Sequence, residues 1–254
     1  MKKSIAALLC IVLALSVTAS LTACSGGKTA TEPADTTATV DKATVDESSK
    51  MSYEIVTARE ENYSYDDSVG NHFDITIAIP EVKMDSEGAR SVNSKIKMNF
   101  DPVFDQLDEC RAGGYSPMLS LFEYDHSEAN GILSVWVNSI YDGGSQKVSV
   151  YNLDLNDGSE LNSNKSIVEK LGLDKEQVKG YLEDAITGYF QENYSDMEKS
   201  SKDLYDQKLK ESLSEDFISS AVYFVKDGHL CAKVTIAQLA GGYASEKMVE
   251  LCGI

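Results

Sequence analysis

Three β-like runs at residues 118–124, 132–140 and 148–155 succeed one another with only short connections between them. A parallel pairing needs a crossover of a dozen or more residues, so this spacing confines the three to an antiparallel meander. Asp142-Gly143-Gly144 and Asn156-Asp157-Gly158 supply turn chemistry after the second and third runs, because glycine accepts positive φ at little cost. Any fold open to the chain must be built around that meander.

The flanking segments decide what packs on it. Residues 53–58 can form a strand, and Phe73, Ile75, Ile77 and Ile79 recur at period two, the pattern of a half-buried strand that Pro80 is expected to end. Across residues 86–110, Val92, Ile96, Phe100, Val103, Phe104 and Leu107 recur at helical spacing. Pro102 lies inside this pattern and predicts a helix that is kinked or divided, with Asp101 capping a second piece. Asp174-Lys175-Glu176-Gln177 reads as a capping box, and Val178, Leu182, Ala185, Ile186, Tyr189 and Phe190 then share one helical face. A polar helical segment over 201–213 precedes a hairpin formed by 221–225, the Lys226-Asp227-Gly228 turn and 229–236. Residues 247–251 make a last strand. The expected class is α+β, with antiparallel sheet and packed helices.

The N-terminus speaks to location. Lys2 and Lys3 precede an apolar stretch over 5–17 that is short for a bilayer span, and small residues then lead to a cysteine, which is the order of a signal peptide. Leu21-Thr22-Ala23-Cys24 resembles the lipobox of bacterial lipoproteins. The resemblance implies cleavage after residue 23, diacylglycerol on Cys24 and a lipid anchor on the extracytoplasmic face of the cell membrane. Residues 24–50 are the lipidated cysteine and a Thr/Ala/Asp/Ser/Gly/Lys-rich linker, expected to be disordered. As a flexible coil it would span roughly 28 Å. The module proper is expected at 51–254, in an N-terminal part to about 125 and a C-terminal part from 126.

Cleavage removes two lysines and no acid, leaving 21 basic residues against 41 acidic ones and a net charge of −20. Such a balance disfavours nucleic acid and anionic lipid and favours cationic partners. Of five cysteines, Cys10 leaves with the signal and Cys24 is lipidated, so Cys110, Cys231 and Cys252 remain and at most one bridge can form. Cys231 and Cys252 fall in runs that could be neighbours, which makes them the possible disulfide.

Chemistry is sparse. His72, His126 and His229 have no metal-ligand spacing, and no metal or other cofactor is expected. His229 and Cys231 share a strand face, yet no third group orients them as a catalytic pair. Asp154 to Gly158 resembles a calcium loop only faintly, since its glycine comes one position early, and the hairpin-turn reading is preferred. No nucleophile elbow, phosphate loop or dinucleotide fingerprint occurs, so no catalytic residue is nominated. Thirteen tyrosines stand against one tryptophan; Tyr115, Tyr124, Tyr141, Tyr151 and Tyr243 fall near strand ends, where they could serve a binding surface.

Several motifs resemble one exported bacterial module. They are Phe73-Asp-Ile-Thr-Ile-Ala-Ile-Pro-Glu-Val with Ser91-Val-Asn-Ser-Lys-Ile, then Tyr141-Asp-Gly-Gly, Asn152-Leu-Asp-Leu-Asn-Asp-Gly and Glu160-Leu161, and finally Tyr223-Phe-Val-Lys-Asp-Gly-His-Leu with Ala240-Gly-Gly-Tyr-Ala. The module is that of the extracellular part of RsiV-type, lysozyme-sensing anti-sigma factors and of the region ahead of PdaC-type peptidoglycan deacetylase domains. Members commonly carry Gly-Gly-Ala-His at the central turn; Gly143-Gly144-Ser145-Gln146 stands here, so no role for that histidine carries over. The resemblance implies an envelope module that binds or senses a lysozyme-like cationic protein or peptidoglycan without catalysis. Tyr141, Asp142, Gly143, Gly144 and Tyr243 are its candidate binding residues. An envelope hydrolase, or an accessory to a wall-modifying enzyme, is one alternative, and a structural scaffold lipoprotein is another.

Overall fold

A computed structural model describes residues 50–66, 72–141, 144–237 and 244–254. The signal segment, Cys24 and the linker lie outside these residues, as do Asp142, Gly143 and Tyr243. The described part belongs to one compact unit and has an α+β architecture, with five helices and three antiparallel sheets among the described residues. No helix among them is long and apolar enough to cross a membrane.

Strands β1 (Glu54–Asp66) and β2 (His72–Lys83) form a two-stranded ribbon. Ile75, Ile77 and Ile79 are buried on one face, as their period predicts. Pro80 does not end β2, which continues three residues further. The proline sits opposite Thr57, where the register of β1 jumps to Arg59, so it occupies a bulge at which the ladder is already interrupted.

Helix α1 (Glu87–Gly113) begins where Ser86 accepts the Ala89 N–H at 3.0 Å and ends at Gly114, whose φ of 66° permits a left-handed cap. It is neither divided nor recapped at Asp101; Pro102 lies inside one helix. The carbonyl that loses its partner belongs to Met98, 71% exposed, so water can satisfy it. The helix start lies directly on the turn at Asp154–Gly158. A Cβ on Gly88 would collide with the Gly158 carbonyl oxygen, and Gly158, with φ of 71°, has Ser86 against its own missing Cβ. The Asp154–Gly158 segment is accordingly a turn. Its first carboxylate holds Lys170 at 2.8 Å and the Asn156 N–H at 2.8 Å.

Strands β3 (Leu119–Ala129), β4 (Ile132–Tyr141) and β5 (Gln146–Asp154) make the expected meander. Asn130 and Gly131, both at positive φ, close the first hairpin as a two-residue turn. The boundary expected near residue 125 falls inside β3, and the core divides by face instead of by sequence. Leu133, Val135, Val137, Tyr151 and Leu153 join α1 and β2 in one cluster. The opposite face receives the rest of the chain.

That remainder comprises α2 (Asn164–Lys170), α3 (Lys175–Ser200), α4 (Lys202–Ser212), α5 (Glu215–Ser219) and a third sheet of β6 (Val222–Lys226), β7 (His229–Ile236) and β8 (Ser245–Gly253). Asp174 caps α3 through the Gln177 N–H at 2.9 Å, and Val178, Leu182, Ile186 and Phe190 are its buried face. α3 breaks its helical geometry at Tyr194, whose ring packs edge-on against Phe190. These helices cover one face of the third sheet. Its other face meets the meander through Trp136, Val148, Phe224 and Cys231.

The contact between these sheets is stitched by side chains. Ser127, Ser134 and Asn152 lie directly across from one another in β3, β4 and β5, forming one row of short polar residues. Ser127 Oγ accepts the Asp227 N–H at 3.0 Å, Ser134 Oγ accepts the Val225 N–H at 2.9 Å, and Asn152 Nδ2 donates to the Tyr223 carbonyl at 3.0 Å. Asn164 adds two more bonds, accepting the Tyr223 N–H and donating to the Ala221 carbonyl. β6 is the edge of its sheet, and an edge leaves every second residue's amide and carbonyl unpaired. Here residues 221, 223, 225 and 227 find partners on the neighbouring sheet and helix.

Candidate functional site

The two segments singled out by sequence converge at their stems. Tyr141 ends β4 and Gln146 opens β5, while Ser245 opens β8. The Gln146 N–H donates to Ser245 Oγ at 3.1 Å, and the Val148 N–H donates to Glu246 Oε2 at 2.7 Å. β5 is the edge of the meander, so these outward amides need acceptors, and β8 supplies them as side chains. At the turn, the Gly144 N–H donates to the Tyr141 carbonyl at 2.9 Å and the Tyr141 N–H to the Ser145 carbonyl at 2.8 Å. Gly144 has a φ of 79°, which favours glycine at that position.

A directed hydrogen-bond chain runs through this junction. Lys247 Nζ donates to Gln146 Oε1 at 2.8 Å, Gln146 Nε2 to Asn138 Oδ1 at 2.8 Å, and Asn138 Nδ2 to Glu123 Oε1 at 2.9 Å. An ammonium can only donate and a carboxylate only accept, so the two ends fix the orientation of both amides between them. Asn138 is buried and Gln146 half-buried, which makes the chain a supported arrangement as well as a surface one. Beside it, Lys233 Nζ lies 3.1 Å from Glu246 Oε1. Lys247 has no such carboxylate partner among the described residues, and burial pushes its pKa below the usual lysine range.

Tyr141 links the junction to an apolar groove. The Lys147 ammonium lies 5.4 Å from its ring centre, and the ring also lines a cavity of about 460 Å³ with Leu107, Cys110, Tyr115, Met118 and Leu119. Met118 is 71% and Tyr115 56% exposed, so this groove carries two of the largest exposed apolar side chains described. Tyr124 and Tyr151 have structural duties. Tyr124 hydrogen-bonds Thr57 Oγ1 at 2.7 Å, and the buried Tyr151 accepts from Asn99 Nδ2 at 2.9 Å.

The cysteine expectation needs correction. Cys110, Cys231 and Cys252 are all free thiols. β7 and β8 do pair, but a register shift sets Cys252 across from Leu230 and Glu250 across from Cys231. Cys231 packs with Trp136, Val148 and Phe224, whereas Cys252 packs with the helical cluster, so the two side chains serve opposite faces of the sheet. Burial, aided by Glu250, pushes the Cys231 thiol up to about 11, which keeps it protonated and poorly nucleophilic at neutral pH. His229 is engaged elsewhere, with Nδ1 at 3.1 Å from the Asp227 carbonyl and Nε2 at 3.3 Å from Glu250.

His72 sits at the far end of the β1–β2 ribbon. The Asp66 carboxylate hydrogen-bonded to Nδ1 at 2.8 Å, followed by the charge of Asp74, holds its pKa above the ordinary histidine value. The contribution to stability is present in full below the unfolded pKa and is lost as pH rises through the raised folded one. In an NMR titration the His72 ring is expected to titrate above 6.5 and to move down towards that value in Asp66→Asn. A titration unchanged by the substitution would contradict the assignment.

The Asn130-Gly131 turn and the polar row under β6 carried visible signals. The first is a two-residue hairpin dipeptide, and the second is Ser134 interrupting a strand apolar on both faces. The Lys247–Gln146–Asn138–Glu123 chain had none, since its members are far apart in sequence. No protein-family model matches the chain, and no curated protein matches it.

Proposed function

We propose that the protein is a non-catalytic binding or sensing module of the cell envelope, anchored by lipid on Cys24. Its ligand is a cationic wall-active protein of the lysozyme kind or peptidoglycan. The observation that carries this reading is the bonding of Gln146 to Ser245 and Lys247, which joins the stems of the two loops holding Tyr141, Asp142, Gly143, Gly144 and Tyr243. Loops held on a rigid sheet edge are the usual place for recognition. A net charge of −20 after cleavage favours a cationic protein, and the half-buried Tyr141 offers an aromatic anchor.

Purified full-length chain is expected to be retained on immobilised lysozyme or to co-sediment with insoluble peptidoglycan. Retention by lysozyme should fall as salt is raised, and Tyr141→Ala should weaken whichever interaction is present by about tenfold, or about 1.4 kcal/mol. No retention by either would overturn the reading. The groove at Tyr115 and Met118 favours a second one, a scaffold lipoprotein docking another envelope protein through an apolar patch.

A further inference from the structure

Among the described residues, the lysines that this fold half-buries are matched with carboxylates except two: Lys226, whose ammonium lies 5.6 Å from the Trp136 ring centre, and Lys247. Lys170 faces Asp154 at 2.8 Å and Lys233 faces Glu246 at 3.1 Å. Lys247 is also half-buried, yet its partner is the neutral Gln146 oxygen. An ammonium has three protons to donate, and that amide accepts one of them. Removing an ammonium from water without a counter-charge is costly, so Lys247, with neither a carboxylate nor an aromatic face among the described residues to offset its charge, is a position that an incoming anion can complete.

The surroundings narrow the anion. Glu123 ends the hydrogen-bond chain that begins at Lys247, and Glu246 lies next to it in β8, held by Lys233 and the Val148 amide. One unpaired cation among these acids balances a single negative charge, whereas a phosphate dianion would carry an excess into an already acidic site. We propose that the Lys247 ammonium, presented by Gln146 at the junction of the two loops, is the anchor for a ligand carboxylate. This rests on the reading of that junction as the ligand-facing surface. The carboxylate can come from a peptide C-terminus or from the peptide portion of the wall polymer. Gln146 is a positioning residue, because it aims the ammonium and is itself aimed by Asn138.

The test uses the full-length chain with N-acetyl-alanyl-alanine and its C-terminal amide as probes, read by NMR of the lysine ε-methylene groups. The acid is expected to shift the Lys247 signal saturably and to raise its pKa, because a nearby anion favours the charged form; the amide should do neither. Lys247→Met should weaken binding of the acid at least about tenfold and Lys247→Arg should retain most of it. Gln146→Leu should weaken it without removing the charge. A thermal melt of each variant reports folding; if Lys247→Met does not fold, the acid against amide comparison on the unsubstituted chain still decides.

Sedimentation with peptidoglycan, native or with its carboxylates amidated, separates the two sources. Loss on amidation assigns the wall polymer, and acid binding with no difference between the two peptidoglycans assigns a peptide terminus. Equal binding of acid and amide, no binding of either, or acid binding unaffected by Lys247→Met would overturn the proposal. Peptidoglycan or lysozyme retention that ignores Lys247 would leave the envelope reading standing without it. Acid binding at Lys247 with neither envelope ligand retained would do the reverse.

Discussion

Phe224→Ala is expected to destabilise the protein by about 3–5 kcal/mol, the range for emptying a fully buried aromatic site. Phe224 has no exposed surface, and its ring lies 5.5 Å from that of Trp136 at a tilt of 50°. Together with Val148 and Cys231 it fills the contact between the meander and the third sheet. That contact is small beside the two large clusters it connects, and a ring removed there leaves a void walled by two sheets, which cannot collapse as a helix surface can. Chemical denaturation of the full-length chain should show a lowered midpoint with an unchanged slope. Met98→Ala, at an exposed position of α1, should fall within about 0.5 kcal/mol of the parent. A loss below about 1 kcal/mol for Phe224→Ala would mean that the sheets are not held through this ring.

What the sequence discloses, and what it hides, follows from the range of each interaction. The period-two isoleucines of β2, the Asp174 cap and the Lys226-Asp227-Gly228 hairpin are local patterns, and the structure bears each of them out. Pro80 is expected to end its strand and Pro102 to kink or divide its helix. Tertiary context carries β2 past Pro80, which lies at a bulge, and α1 is not divided at Pro102, which lies on the wet side of the helix. The disulfide failed for a different reason. Neighbouring strands were foreseen, but one residue of register decides which face a side chain serves, and the shift between Leu230 and Cys231 is invisible in composition. In the candidate site, Tyr141 and Gly144 were legible as turn residues. Lys247 was not, because what distinguishes it is that no carboxylate among the described residues pairs with it, a property of packing between strands about a hundred residues apart.

The polar row beneath β6 supports the second large effect. Asn152 makes two buried bonds, receiving Ser134 Oγ at 2.6 Å and donating to the Tyr223 carbonyl at 3.0 Å. Asn152→Leu preserves approximate volume while leaving both groups without their partner, and each orphaned buried group costs about 1–3 kcal/mol. The expected loss is therefore the sum of two such terms, well above the value of an ordinary hydrogen bond. Ser134→Ala orphans the Val225 N–H and the Asn152 oxygen instead. Because the two substitutions remove one shared bond, the double variant should lose less than the sum of the singles, by about 0.5–3 kcal/mol. Strict additivity in denaturation midpoints would show that the two side chains act separately. Each would then hold β6 only through its own bond, Ser134 to the Val225 N–H and Asn152 to the Tyr223 carbonyl, and the Ser134–Asn152 bond would have no part in fixing where β6 crosses the meander.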